Sequence, residues 1–119
     1  MTAIAKNDKL TTISKNANLV TLINSFTVEP ENQQGLVELL VKITEDVMCK
    51  LPGFIAANIH KSLDGKNAAN YAQWRSVESV EDMLKFIKTN ERYQYLHAEL
   101  LKIAKMNPIL YEVCYTKNL

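Results

Sequence analysis

The chain has 119 residues, of which 47% are hydrophobic, and its 14 basic and 13 acidic side chains leave a formal net charge of +1. This length suits one domain with a modest core, and the even charge without a Lys or Arg cluster argues against nucleic acid as a partner. No apolar run approaches the roughly 20 residues of a membrane span, and the N-terminus lacks the apolar core of a signal peptide, so we expect a cytoplasmic protein without a membrane partner.

The N-terminal part of the chain shows neither helical nor strand periodicity. Residues 1–18 are therefore predicted to be an arm that is mobile or docks on a partner, and the domain is expected to cover residues 19–117. From Leu19 to Val28, apolar residues recur at every second position, and Asn24 interrupts them on the same face. This alternation predicts a first β-strand with one buried face.

A helix and a β-hairpin are predicted to follow. Pro30 suits the first turn of the helix, and Pro52-Gly53 ends it. The apolar stripe of this helix consists of Leu36, Leu40, Ile43 and Val47. Residues 54–62 and 69–76 are rich in β-compatible residues, and Asp64-Gly65 between them is a strong turn signal, so they form strands two and three.

Two further helices and a last strand complete the order. Ser76 is suited to cap the second helix, and Thr89-Asn90 separates it from a third. Asn107-Pro108 is predicted to end the third helix before a final strand over residues 109–116. The order βαββαβ predicts an α+β, ferredoxin-like fold, in which helices cover one face of a four-stranded antiparallel sheet.

The uncovered face of that sheet is expected to carry apolar side chains as well. On strand two, for example, Ile55, Ala57 and Ile59 alternate with the apolar Phe54 and Ala56. A sheet with apolar residues on both faces needs a second cover, and a second copy of the chain supplies one. We therefore expect a homodimer packed sheet to sheet, a dimeric α/β-barrel.

Polar side chains are predicted on the helix-covered face of the first three strands. They are Asn24 on strand one, Asn58 and His60 on strand two, and Asn70 and Trp74 on strand three, with His97 approaching from the third helix. A buried amide or imidazole without a partner costs about 1 to 3 kcal/mol. One such group is readily explained as a core residue bonded to the backbone, but several together favour a pocket that holds a ligand.

Signals for other chemistries are weak. His60 and His97 have no carboxylate or thiol at metal-ligand spacing, so no metal site is expected. The sequence has no phosphate-binding loop, dinucleotide fingerprint or nucleophile elbow. Cys49 and Cys114 fit a reducing compartment and are predicted to be free thiols, and Cys49 lies near a helix C-terminus, a poor position for a nucleophile.

The run Asn70-Tyr71-Ala72-Gln73-Trp74 carries a resemblance to a known family. Together with Pro52-Gly53-Phe54, His60, Ser62, Asp64-Gly65 and Ser76, it resembles the antibiotic biosynthesis monooxygenase superfamily over residues 19–116, and most of all the cofactor-independent, quinone-forming monooxygenases of the actinorhodin type. The resemblance implies that Asn70 and Trp74 are active-site residues. Two positions depart from the pattern, because Val80 replaces a pocket tyrosine and His97 replaces a pocket arginine, which implies the same reaction class with a different substrate.

The implied reaction is oxidation of a phenolic or polyketide-like aromatic molecule by O2 to a quinone, without a cofactor. The substrate, as a phenolate or enolate, itself gives an electron to dioxygen. The expected catalytic residues are Asn70 and Trp74, as N–H donors, and His97, which accepts the phenolic proton or holds the phenolate. The expected substrate-binding residues are Asn24, Asn58, His60 and Arg92, the last adding charge at the pocket mouth.

Two other functions stay open. Haem-degrading members of the same superfamily use an asparagine on strand one, a tryptophan on the second helix and a histidine on the third as iron ligand. Asn24 and His97 fall in similar places, whereas Met83 stands about where that tryptophan would be. The domain can alternatively be a non-catalytic small-molecule-binding or stress-response protein. Soret absorbance on haem addition and oxygen uptake with a quinol distinguish the three functions.

Overall fold

The computed structural model describes residues 10–15 and 17–119, so most of the predicted N-terminal arm lies outside the described residues. The strands are β1 (Val20–Val28), β2 (Phe54–Lys61), β3 (Asn67–Trp74) and β4 (Ala104–Tyr111), and the helices are α1 (Gln33–Asp46), α2 (Val77–Ile87) and α3 (Glu91–Ile103). The strands form one antiparallel sheet in the order β2-β3-β1-β4. The predicted α+β, ferredoxin-like fold is thereby confirmed.

The core lies between the three helices and one face of the sheet, which we call the inner face; the opposite face is the outer face. Leu36, Leu40 and Ile43 repeat with helical spacing on α1 and are buried against Phe26 of β1. Residues of α3 close the same core, with Leu96 and Leu100 each 2% exposed. Within the described residues, no helix is long and apolar enough to cross a bilayer.

Side chains cap the starts of α2 and α3, and the Ser76 cap of α2 confirms the prediction. The Ser76 hydroxyl accepts a hydrogen bond from the Ser79 N–H at 3.1 Å and begins α2. The Asn90 side chain accepts one from the Tyr93 N–H at 2.8 Å and begins α3. The two thiols, Cys49 and Cys114, are exposed and free.

The last strand begins earlier than predicted. Residues 109–116 were expected to form it, but α3 ends at Ile103 and β4 starts at Ala104, so the prediction that Asn107-Pro108 ends the helix is wrong. Pro108 instead lies within β4, paired with Asn24 of β1. Proline is tolerated there because β4 is an edge strand and needs backbone donors on one side only.

A bulge in β2 changes which side chains face the helices. Phe54 pairs with Trp74 and Ala56 with the next residue of β3, so Ile55 is an extra residue in the strand. Beyond the bulge, Ile59 lies on the inner face, whereas Asn58 and His60 lie on the outer face. The prediction that Asn58 and His60 face the helices is therefore wrong, because one extra residue flips every side chain that follows it.

Thr21 on the outer face carries a buried hydroxyl that has no hydrogen-bond partner in the described part of the chain. The residue is 3% exposed. An unsatisfied buried hydroxyl destabilises the folded state, so Thr21→Val should raise the free energy of unfolding by about 1 kcal/mol in urea titration. Thr27→Val, on the exposed end of the same strand face, is the control and should change it by less than about 0.5 kcal/mol. A less stable Thr21→Val protein would show that this hydroxyl is bonded in solution.

Candidate active site

A cavity of about 370 Å³ separates part of the inner face from the helices. It exists because the inner face carries small side chains where Ala57 of β2 pairs with Ala72 of β3. Most of the wall is apolar, including Phe54, Met48, Met83, Ile87, Leu100 and Met106. The polar side chains that line it are Asn24, Thr44, Asn70, Trp74, Tyr93 and His97. Volumes of roughly 300 to 1,000 Å³ with a few polar groups are typical of small-molecule sites.

Asn24 and Asn70 form a pair on the floor of the cavity. They lie directly opposite each other on β1 and β3, so their side chains are close neighbours on the inner face. The Oδ1 atom of each is buried and has no hydrogen-bond partner among the described residues. Each unsatisfied acceptor costs about 1 to 3 kcal/mol, which a ligand with two hydrogen-bond donors would recover.

Trp74 lies at the end of β3, at the inner-face position that follows Ala72. It is 2% exposed and packs edge to face on Phe54, with ring centroids 5.5 Å apart and planes at 90°. This is a favourable aromatic geometry, and it fixes the indole on the cavity wall. The bulge in β2 keeps Phe54 on the inner face for this contact while sending Asn58 to the outer face.

His97 and Tyr93 line the cavity from the helix side. They are one turn apart on α3, and their rings stack with centroids 5.2 Å apart and planes at 16°. Burial raises the pKa of the Tyr93 phenol, which keeps it neutral. Tyr93 was not among the residues predicted for the site, although its i, i+4 spacing from His97 places the two on one helix face.

The structure brings Asn24, Asn70, Trp74 and His97 together but places the other predicted site residues elsewhere. Asn58 lies on the outer face, where its Nδ2 donates to the Thr11 hydroxyl at 2.9 Å and to the Tyr71 carbonyl at 3.2 Å. His60 is exposed on the same face.

Arg92 also lies away from the cavity wall. Its guanidinium donates two hydrogen bonds to the Asp46 carboxylate, at 2.8 and 3.0 Å, on the exposed surface where α3 passes the end of α1. Arg92 is therefore paired with Asp46 and is not among the residues that line the cavity, and its expected role at the pocket mouth stays a prediction. The two positions that depart from the family pattern, Val80 and His97, both line the cavity.

Comparison with known proteins relates this arrangement to one family. The profile of the family described as antibiotic biosynthesis monooxygenase matches residues 19–85. The chain is 36% identical over 107 residues to tetracenomycin-F1 monooxygenase of Streptomyces glaucescens, covering 90% of this chain and 92% of that protein.

Solved structures share the fold. A monooxygenase from the gene ActVA-Orf6 of Streptomyces coelicolor, solved in complex with nanaomycin D, aligns with a TM-score of 0.71 and 23% identity over 87% of this chain and 94% of its own. SnoaB, a cofactor-independent oxygenase from Streptomyces nogalater, aligns with a TM-score of 0.65 and 19% identity over 84% of this chain and 97% of its own.

Proposed function

The chain is a monooxygenase of the antibiotic biosynthesis monooxygenase family, and from this premise we propose that it oxidises a phenolic aromatic compound with O2 to a quinone, without metal, flavin or haem. The observation that carries the proposal is the pair of buried amide oxygens without hydrogen-bond partners among the described residues, those of Asn24 and Asn70, on the floor of a mostly apolar cavity that Trp74 also lines. Two relatives support it, since one is named for the oxidation of tetracenomycin F1 and another is described as a cofactor-independent oxygenase.

The proposed reaction needs no external reductant. An ionised phenol passes one electron to dioxygen, and the resulting superoxide and phenoxyl radical combine through a new C–O bond to a peroxide on the ring. Loss of water from this peroxide leaves a carbonyl, so that a phenol and O2 give a quinone and one water. The substrate supplies all four electrons that O2 accepts, while one oxygen atom enters the product and the other leaves as water.

The cavity residues have complementary roles in this reaction. The Oδ1 atoms of Asn24 and Asn70 accept hydrogen bonds from two substrate hydroxyls and orient the ring. The amide N–H groups of Asn70 and the indole N–H of Trp74 stabilise the negative charge that develops on oxygen, an effect that is strongest where water is excluded. His97 takes the phenolic proton from the helix side, and stacking on Tyr93 fixes the plane of its ring.

We propose that the working form is a homodimer in which two outer faces meet. Ile23, Tyr71 and Ile109 occupy neighbouring positions in the middle of this face, and no charged residue lies among them. A two-fold axis places a surface patch of one subunit against the same patch of its partner. An uncharged apolar patch can pack against its own copy, whereas a charged patch would meet a like charge and be repelled. Four strands of about eight residues present a face of roughly 19 by 26 Å, or about 500 Å² on each copy, and two such faces together reach the roughly 1,000 Å² that a specific interface needs.

Oxygen uptake by protein treated with a chelator tests the proposed chemistry. With hydroxylated anthrones and naphthalenes, we expect uptake above the spontaneous rate and one quinone formed for each O2 consumed. Trp74 is the sole tryptophan of the sequence and lines the cavity, so quenching of its fluorescence reports substrate binding separately.

Two results would overturn the proposal in favour of a specific alternative. A Soret band on haem addition, with oxygen uptake only when haem is present, would show a haem-degrading enzyme. Fluorescence quenching by the phenols without any oxygen uptake would show a non-catalytic binding protein.

A further inference from the structure

The segment of residues 10–15, which we call the strap, lies on the outer face of the sheet. The hydroxyl of Thr11 exchanges hydrogen bonds with the Asn58 amide of β2 at 2.9 and 3.1 Å. The carbonyl of Thr12 accepts a hydrogen bond from Nε2 of Gln73 of β3 at 2.9 Å. The strap therefore crosses the β2-β3 hairpin and is fixed to two strands.

The burial of Gln73 supports this placement. Its side chain is on the face that the helices leave uncovered, yet it is 2% exposed, and Thr21 opposite it is 3% exposed. A buried amide without a partner is unfavourable, and the Thr12 carbonyl satisfies it. The described part of the predicted arm thus docks on its own sheet, which the lack of apolar periodicity in the sequence did not indicate.

The strap is attached by polar groups and presents apolar ones to solvent. Leu10 is 71% and Ile13 is 51% exposed. Tyr111 lies on the same face and is 47% exposed, since Thr21 pairs with Gln73 on one side and with Tyr111 on the other. Two strand spacings, about 10 Å, separate Gln73, to which the strap is bound, from Tyr111, so one partner surface can contact the strap and Tyr111 together.

We propose that the strap is part of the contact between two copies of this chain. It lies between the two sheets, with its polar groups bound to its own sheet and with Leu10 and Ile13 against the partner subunit. This inference rests on the homodimer of the proposed function. A second copy is the occupant because the strap is bound on the same face whose uncharged middle, where Ile23 pairs with Ile109, is the proposed dimer contact. The strap adds the apolar side chains of Leu10 and Ile13 to one end of that patch, where the sheet itself presents the polar Gln73 and Asn58.

Sedimentation equilibrium of the full chain over a range of concentrations tests the inference. Ile13→Asp should raise the dimer dissociation constant at least tenfold, because a charge would be buried in the contact. Leu101→Asp on α3 is the matched control, since Leu101 is also 51% exposed but lies on the helix side. It should leave the constant within about twofold of the wild type, and circular dichroism should show that both variants are folded.

The possible results separate the two proposals. A wild-type protein that stays monomeric at all concentrations overturns the homodimer and the strap contact with it. A wild-type dimer that Ile13→Asp leaves equally tight, or makes tighter, overturns the strap contact alone. Oxygen uptake is measured independently and decides the chemistry in either case.

Discussion

Replacing Trp74 by Phe, or Asn70 by Ala, is expected to lower the turnover of a phenolic substrate by roughly ten- to a thousand-fold. Each change removes an N–H donor from a cavity whose wall is mostly apolar. Hydrogen bonds to a developing negative charge are worth most where apolar groups surround them, because less water is at hand to replace a lost donor. For Trp74→Phe the effect should appear in kcat rather than in KM, since the charge develops only as oxygen is reduced. Asn70→Ala also removes the acceptor for a substrate hydroxyl, so it should raise KM as well as lower kcat.

Both variants should remain folded. Phe keeps most of the apolar volume that packs on Phe54, and Asn70 already lacks a partner for its buried oxygen. Thermal unfolding should therefore shift little in the Asn70→Ala protein, whereas its oxygen uptake falls.

Matched substitutions outside the cavity separate a catalytic effect from a general one. Asn118→Ala removes an exposed amide near the end of the sequence, and Tyr95→Phe removes a polar group from an aromatic ring that is 60% exposed on α3. Oxygen uptake by both control proteins should match the wild type. Full activity in both the Trp74 and the Asn70 variants would remove these residues from the site.

Gly53→Ala is expected to lower the free energy of unfolding by about 2 to 5 kcal/mol in urea titration. Gly53 has φ +87°, a conformation that strains any residue with a Cβ. An added Cβ would also overlap the side chain of Ser79 at the start of α2. Relieving this overlap means moving α2 away from β2, at the expense of the Ser76 cap and of the bond from the Arg75 N–H to the Gly53 carbonyl at 2.7 Å.

Gly35→Ala provides the matched control for this prediction. Gly35 lies in α1, and the nearest atom to an added Cβ is Cδ1 of Ile103 at 4.0 Å, an ordinary contact. Alanine is the better helix former, so this variant should be more stable by about 0.5 to 1 kcal/mol. If Gly53→Ala unfolds within about 0.5 kcal/mol of the wild type, the junction between β2 and α2 is looser than its geometry indicates.

Features that depend on a few neighbouring residues were predictable from the sequence. Ser76 caps its helix through an N–H three residues ahead, Thr89-Asn90 separates two helices, and Gly65 takes the positive φ of the turn after Asp64. The pair of Asn70 and Trp74 on one face also followed from simple alternation, since β3 runs without a bulge between them. Each of these signals acts over fewer than five residues, so the tertiary fold does not alter it.

Features that depend on distant residues were missed, because no local pattern in the sequence indicates which residues the fold brings together. The face on which Asn58 and His60 lie is set by the pairing of β2 with β3, which inserts Ile55 as an extra residue. The ion-pair partner of Arg92 is Asp46, which is 46 positions away in the chain. In both cases the sequence shows which residue is present, but the residue that it pairs with is set by the folded chain.

The two edge strands of the sheet share a consequence that concerns aggregation. β2 and β4 are the edge strands, and an uninterrupted edge is a template on which other chains can add strands and grow amyloid-like fibres. Near one end of β2 the bulge breaks the regular row of backbone donors and acceptors, and in β4 Pro108 removes a donor. Both edges are thus poor templates, which leaves the face of the sheet as the surface where copies of this chain can meet without fibre growth.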